Sequence, residues 1–244
     1  MPASGHDIIE RTAEVPLTDG RRQRVLYAAA PQPRAILIMF PGGAGDIGLD
    51  ESGTIRHGDN FVVRTRALWV KHGYAVVIPD TIDGANLRGS RSSPQYAALA
   101  RDLVAFAHRQ APAPVFLLGT SQGAIAALNG AAHAAPGAIS GVILTESVSR
   151  LGGSGETVFS AGPETVRVPA LVVANRDDRC DVAPPEDAPR IAAAMTASPD
   201  VHVAEISGGT ARSTRTCGSL TPHGYFGIET AVVDMIAAWI DRHR

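Results

Sequence analysis

One lysine, Lys71, stands among 244 residues; the rest of the positive charge is arginine. Lys+Arg comes to 22 against 24 Asp+Glu, a net charge of -2. With no basic excess, the chain has no electrostatic footprint for nucleic acid or for an anionic membrane surface. Cysteine is nearly as scarce. Cys180 and Cys217 are too few for a disulfide framework or a four-thiolate zinc site. No apolar run approaches the roughly 18 residues that mark a membrane span. The stretch from Met1 to Thr18 is broken by His6, Asp7, Glu10, Arg11 and Glu14, so it lacks the apolar centre of a secretory leader. Two expectations follow for location: the cytoplasm, or export of a form whose leader has been removed. Charged residues make up 19% and apolar residues 45%, which excludes the disordered and fibrous classes.

What is present alternates. Short apolar runs bounded by Gly, Pro or Asp read as buried strands: Ala35 to Phe40, Tyr74 to Pro79, Val115 to Leu118, Gly141 to Thr145 and Ala170 to Ala174, with Val201 to Ile206 alternating. Between them lie helical patterns at Phe61 to His72, Gln95 to Arg109, Ser121 to His133, Ile191 to Ala197 and Phe226 to His243. This order predicts a mostly parallel sheet covered on both faces. Ile9 to Leu17 and Arg24 to Ala29 have no helix between them and predict an antiparallel edge. No repeat or linker divides the chain, so residues 1–244 are read as a single domain.

A Gly-rich segment, Gly43-Ala44-Gly45-Asp46-Ile47-Gly48, follows the first buried run and matches G-x-G-x-x-G. A dinucleotide site would need a helix to open on that loop. Instead the chain continues with Leu49-Asp50-Glu51-Ser52-Gly53-Thr54, which is polar and poor in helix formers, and no P-loop Lys-Ser/Thr follows. The nucleotide reading therefore fails. A loop offering backbone N–H groups to an oxyanion remains, beside the plain alternative of a surface loop.

Gly119-Thr120-Ser121-Gln122-Gly123 is G-x-S-x-G, set between the run Val115 to Leu118 and the Ala-rich helix that begins at Ala124. Strand, tight turn and helix would raise the Ser121 hydroxyl above the carboxyl edge of the sheet, with the helix N-terminus beside it. The bland alternative is a serine helix cap. A serine nucleophile needs an oriented base. Asp177 and Asp178 lie just past a strand end, on the same sheet edge. Of the histidines after Ser121, His133 closes the helix that starts at the nucleophile. His202 sits within a strand and His243 in the tail. His223, in Thr221-Pro222-His223-Gly224-Tyr225, occupies a loop that returns to that edge.

On these residues the chain, from about Leu26 to Trp239, resembles the α/β-hydrolase family, in particular its small serine esterase-like members. The resemblance implies an α/β-hydrolase fold, with about eight strands in a mostly parallel sheet and helices on both faces. It implies a triad of Ser121, Asp178 and His223, and acyl transfer to water with no cofactor and no metal. Pro41 has no N–H, so the oxyanion donors would be Gly43 (or Ala44) and Gln122. Relatives often carry Gly-x-x-Asp at the acid turn. Here Asn175 takes the Gly position, as a residue that tolerates the left-handed conformation, and the match selects Asp178 over Asp177. Glu146, at an earlier strand end, is a second candidate acid. From Glu146 to Val168 only about twenty Gly-rich residues stand where relatives often build a cap, so no substantial cap domain is expected and the cleft should be open.

Cys180 lies two residues beyond Asp178, and Cys217 six before His223. If those two meet, a Cys180–Cys217 disulfide would tie the acid loop to the His loop; two unpaired thiols are the alternative. A disulfide favours an exported, periplasmic or secreted, form. The expected partner is a small-molecule or extended ester, with no nucleic acid and no membrane span; acyl and alcohol specificity and oligomeric state are not legible. Thioesterase, peptidase and acyltransferase chemistry use the same machinery, and a non-catalytic binding module on the fold is the alternative of another class. A dehalogenase would need Asp at the nucleophile, and a dienelactone-type hydrolase Cys. Phe61, Trp69, Tyr225 and Phe226 are candidates either for the cleft lining or for the core.

Overall fold

The computed structural model describes residues 8–244. Met1 to Asp7, part of the stretch inspected for a leader, lie outside the described residues. Eight strands form one sheet: β1 (Ile9–Pro16), β2 (Arg22–Ala29), β3 (Ile36–Phe40), β4 (Ala75–Pro79), β5 (Val115–Thr120), β6 (Gly141–Thr145), β7 (Ala170–Asn175) and β8 (Val201–Ile206). Their spatial order is β1-β2-β4-β3-β5-β6-β7-β8. The β1–β2 and β2–β4 pairs are antiparallel and all the others are parallel, so the first two strands form the expected antiparallel edge.

The central strands are apolar throughout because both of their faces are covered. Ile36, Ile38 and Phe40 of β3 join one core layer, while Leu37 and Met39 join the other. The first layer is closed by α3 (Pro94–Gln110), α4 (Gln122–Ala132) and α5 (Ala188–Ala194); the second by α1 (Phe61–Arg64), α2 (Arg66–Lys71) and α6 (Glu229–His243). The crossover from β3 to β4 therefore runs on one face and that from β4 to β5 on the other. This opens a crevice at the carboxyl ends of β3 and β5, the place where open α/β sheets bind ligands.

Three helices differ from the sequence reading. Phe61 to His72 is two short helices, because the Thr65 hydroxyl turns back to donate to the Phe61 carbonyl at 2.7 Å and receives the Trp69 indole N–H at 3.2 Å. Such local side-chain bonding competes with the helix ladder. The helix expected at Ile191 to Ala197 lies three residues earlier, started by Pro189 in its first turn and ended at Met195. The last helix starts at Glu229 rather than Phe226, after Gly227, whose φ of 91° no helix admits. Between β6 and β7 the described chain holds only two 3-10 turns, Val158–Ala161 and Pro163–Thr165, and no cap domain is present there. No helix of the described residues is long and apolar enough to cross a membrane.

Candidate active site

Ser121 sits between β5 and α4 with φ 55° and ψ −122°, a conformation that costs energy for any residue with a side chain. The turn is possible because of its neighbours. A Cβ on Gly119 would stand inside the Gly123 carbonyl, and one on Gly123 inside the Phe40 carbonyl. Both glycines of G-x-S-x-G are thus required by close backbone approach, the second by the packing of α4 onto the end of β3. The Ser121 N–H is spent on the Thr145 carbonyl at 2.9 Å, which pins the turn to β6.

His223 lies in a 3-10 turn, Pro222–Gly224, capped by the Thr221 hydroxyl. Its Nδ1 is 2.7 Å from Oδ2 of Asp178, and both side chains are buried. The other Asp178 oxygen accepts the Cys180 N–H at 2.8 Å. Asp177 points elsewhere, accepting the Gly208 N–H at the surface. His223 Nε2 is buried and has no hydrogen-bond partner among the described residues. His223 and Ser121 line one cleft of about 460 Å³ with Gly42, Gly43, Phe61 and Arg88. No hydrogen bond joins Ser121 Oγ to Nε2 here; such bonds commonly tighten only when substrate is bound.

The loop after β3 wraps the same cleft. It is held from below by Asp80 at the end of β4, which accepts the N–H groups of Ile47 and Leu49 at 2.9 and 2.7 Å. Gly43 takes φ 61°, and among the described residues neither the Gly43 nor the Ala44 N–H has a hydrogen-bond partner. The Gln122 N–H, at the start of α4, is likewise without one. After Gly48 the chain forms a small bridge between Leu49 and Ile55 and no helix, so the loop lacks the framework of a phosphate site. A second lobe of about 300 Å³ continues on the other side of Ser121, past Gln122 and Val148 to Gly152 and Val182.

The structure also places residues that spacing did not single out. Arg64 donates to the Gly224 carbonyl and pairs with Glu229 at 2.8 Å, clamping the His loop to α1 and α6. Arg91, buried under the loop after β3, donates to the Pro41 carbonyl at 3.3 Å. Asn175 is not left-handed, contrary to the sequence reading. It ends β7 as regular strand, and its side-chain amide donates to the Gly208 and Pro222 carbonyls at 3.0 Å each. Its side chain braces the His loop, which a glycine at this position could not do. The one left-handed strand-end residue near this turn is Glu146, with φ 43°. Of the aromatic candidates, Phe61 lines the cleft, Trp69 and Tyr225 are core, and Phe226 is half-buried against Arg64 and Arg212.

Cys180 and Cys217 are joined as a disulfide, with Cα atoms 4.6 Å apart. The bond links the acid turn to the loop that carries His223 and is compatible with an extracellular form. Donor atoms of Glu146, Asp178 and His223 lie within 4.8 Å of one another, a spacing also found around metals. Here Asp178 and His223 turn their atoms on each other, as a proton-holding pair does.

No protein-family model matches the chain, and no curated protein sequence does. Solved structures do. A dienelactone hydrolase from Anabaena variabilis has a TM-score of 0.66 at 17% identity, over 98% of this chain and 99% of that one. An esterase from Pyrococcus furiosus gives 0.65 at 11%, over 97% and 93%. Est1E from Butyrivibrio proteoclasticus, solved with ferulic acid, gives 0.66 at 12%, over 95% and 98%. At such identities the likeness is one of backbone: the chain has the α/β-hydrolase fold.

Proposed function

We propose that this protein is a serine hydrolase that cleaves carboxylic esters through an acyl-enzyme on Ser121. The observation that carries this reading is the buried Asp178–His223 hydrogen bond at 2.7 Å, set behind a strained Ser121 on the same cleft. Its Nδ1 engaged, His223 presents Nε2 as the base. Ser121 Oγ attacks the ester carbonyl carbon as its proton passes to Nε2. The tetrahedral oxyanion is held by backbone N–H groups from Gly43 or Ala44 and from Gln122, all of which lack other partners. When it collapses, the ester C–O bond breaks and Nε2 returns the proton to the departing alkoxide. Water then repeats the sequence on the acyl-enzyme, releasing the acid and restoring Ser121. Asp178 fixes the His tautomer and stabilises the imidazolium. No step calls for a cofactor.

The chemistry of the solved neighbours, esterases among them, agrees with this reading. With no cap over it and a lobe on each side of Ser121, the cleft suits a small ester or an extended one lying across it. The test is hydrolysis of p-nitrophenyl esters of graded acyl length by wild type and Ser121→Ala. Wild type should turn over the short members and Ser121→Ala none. Equal turnover by both would remove Ser121 from the chemistry.

A further inference from the structure

Glu146 is buried at the end of β6, in a backbone conformation that a side chain makes costly, and the reaction above gives it no part. Its Oε1 accepts the Asn175 N–H at 2.7 Å. Its Oε2 is buried with no hydrogen-bond partner among the described residues. Within 4.8 Å of a Glu146 carboxyl oxygen lie a His223 ring nitrogen and an oxygen of Asp178, whose two oxygens already accept from Cys180 N–H and His223 Nδ1. As a carboxylate, Oε2 would be left without a donor, because the nearby Tyr225 hydroxyl donates to the Val173 carbonyl at 3.3 Å. As a carboxylic acid, it becomes the donor that this contact lacks.

We propose that Glu146 is a positioning residue of the triad: it is held as the neutral acid, and its Oε2–H donates to the Asp178 carboxylate that orients His223. The proposal rests on the serine-hydrolase reading above. The titratable groups facing Glu146 are Asp178 from the acid turn, His223 from the His loop, and the Tyr225 hydroxyl beyond it. No Arg or Lys pairs with Glu146 or Asp178 among the described residues; the ion-pair partner of Asp178 is His223 itself. Two buried carboxyls with no cation between them cannot both ionise cheaply. Burial first, and the Asp178 charge second, push the Glu146 carboxyl well above its ordinary range, while the Tyr225 hydroxyl and the Asn175 N–H oppose them. Each Asp178 oxygen already faces a donor, His223 Nδ1 or the Cys180 N–H, so the proton shared by the pair belongs on Glu146.

The pair explains why a carboxyl occupies a strand end where a glycine would be less strained. A donated proton holds the Asp178 carboxyl plane in the orientation that His223 needs. It also tempers the carboxylate, so that the imidazolium is not bound too tightly to return its proton.

Three measurements decide the matter. Glu146→Gln keeps a donor and has no charge, whereas Glu146→Leu removes the donor. Glu146→Leu should lower kcat about 10- to 100-fold with KM within about twofold. It should also move the acid limb of kcat/KM to higher pH, because an unsatisfied Asp178 carboxylate holds the imidazolium more tightly. Glu146→Gln should rescue most of that turnover and leave the acid limb where wild type has it. A downward shift of that limb in Glu146→Gln would mean that the native side chain is ionised, and would overturn the proposal. Infrared difference spectra of wild type against Glu146→Gln give a readout independent of turnover. A protonated-carboxyl C=O band present in wild type and lost in the variant is expected, and its absence at neutral pH overturns the proposal even if Glu146→Leu fails to fold. Full ester turnover by Ser121→Ala would instead sink the triad reading, and leaves the infrared result standing as a fact about Glu146.

Discussion

Asp178 and His223, forty-five positions apart, meet at 2.7 Å, while the adjacent Asp177 turns outward to the Gly208 N–H. Two neighbouring aspartates thus divide between the buried partner of a histidine and a surface loop brace. Asp178→Asn should lower kcat by roughly 10³- to 10⁴-fold with little change in KM, because the His tautomer is lost at the chemical step. Asp177→Asn should cost no more than about twofold, since it removes one exposed loop contact. Steady-state kinetics on the two variants checks this. Reversed effects would put the acid one residue earlier.

The disulfide gives a second prediction. Cys180–Cys217 spans 37 residues and closes a loop that in the chain-entropy model is worth about 3–4 kcal/mol. Protein prepared under oxidising conditions should show no free thiol after denaturation. Cys217→Ser should lower the melting temperature by roughly 10 °C. Ester turnover should be lost at lower temperature than global structure, because the bond restrains the His223 loop rather than the sheet. Two free thiols in denatured, oxidised protein would contradict the pairing.

A third concerns Gly123. Its hypothetical Cβ meets the Phe40 carbonyl, which is backbone and cannot step aside. Gly123→Ala should cost about 3 kcal/mol or more by forcing α4 off β3. Gly153→Ala, where a Cβ would meet nothing within 4 Å, should stay within about 0.5 kcal/mol of wild type. Urea unfolding of both variants reads the contrast.

Much of this was legible in order and spacing, and some was not. Strand–turn–helix around Ser121, the strand-end position of Asp178 and the returning loop of His223 follow from periodicity, because the carboxyl edge of a parallel sheet collects those loops. The role of Asn175 was misread: a left-handed turn and a side-chain brace favour the same residue type, and only the Pro222 and Gly208 carbonyls tell them apart. Arg64 and Arg91 could not be picked out in a chain whose positive charge is almost all arginine, since their carbonyl partners come together only on folding. The strain at Glu146 was equally invisible, as it arises from the crossing of β6, β7 and the acid turn.

Glu146 makes stability depend on pH with a definite sign. Its ordinary value is 4.5 and burial raises it in the folded protein, so the folded state binds more protons than the unfolded one above that pH. Stability from this residue is therefore complete below about 4.5 and is lost as pH rises toward the folded value, at up to roughly 1.4 kcal/mol per unit. Glu146→Gln does not titrate. Its melting temperature relative to wild type should rise as pH is raised from 4.5, and a difference that stays flat or falls would contradict the assignment.

The central claim is that Ser121 carries the acyl group, and the most direct measurement is covalent labelling by a serine-directed fluorophosphonate, read by intact mass and peptide mapping. One adduct per chain is expected, on the peptide that contains Ser121, with ester hydrolysis falling in proportion to labelling and no adduct on Ser121→Ala. An adduct on any other serine, or undiminished hydrolysis by fully labelled protein, would contradict the account.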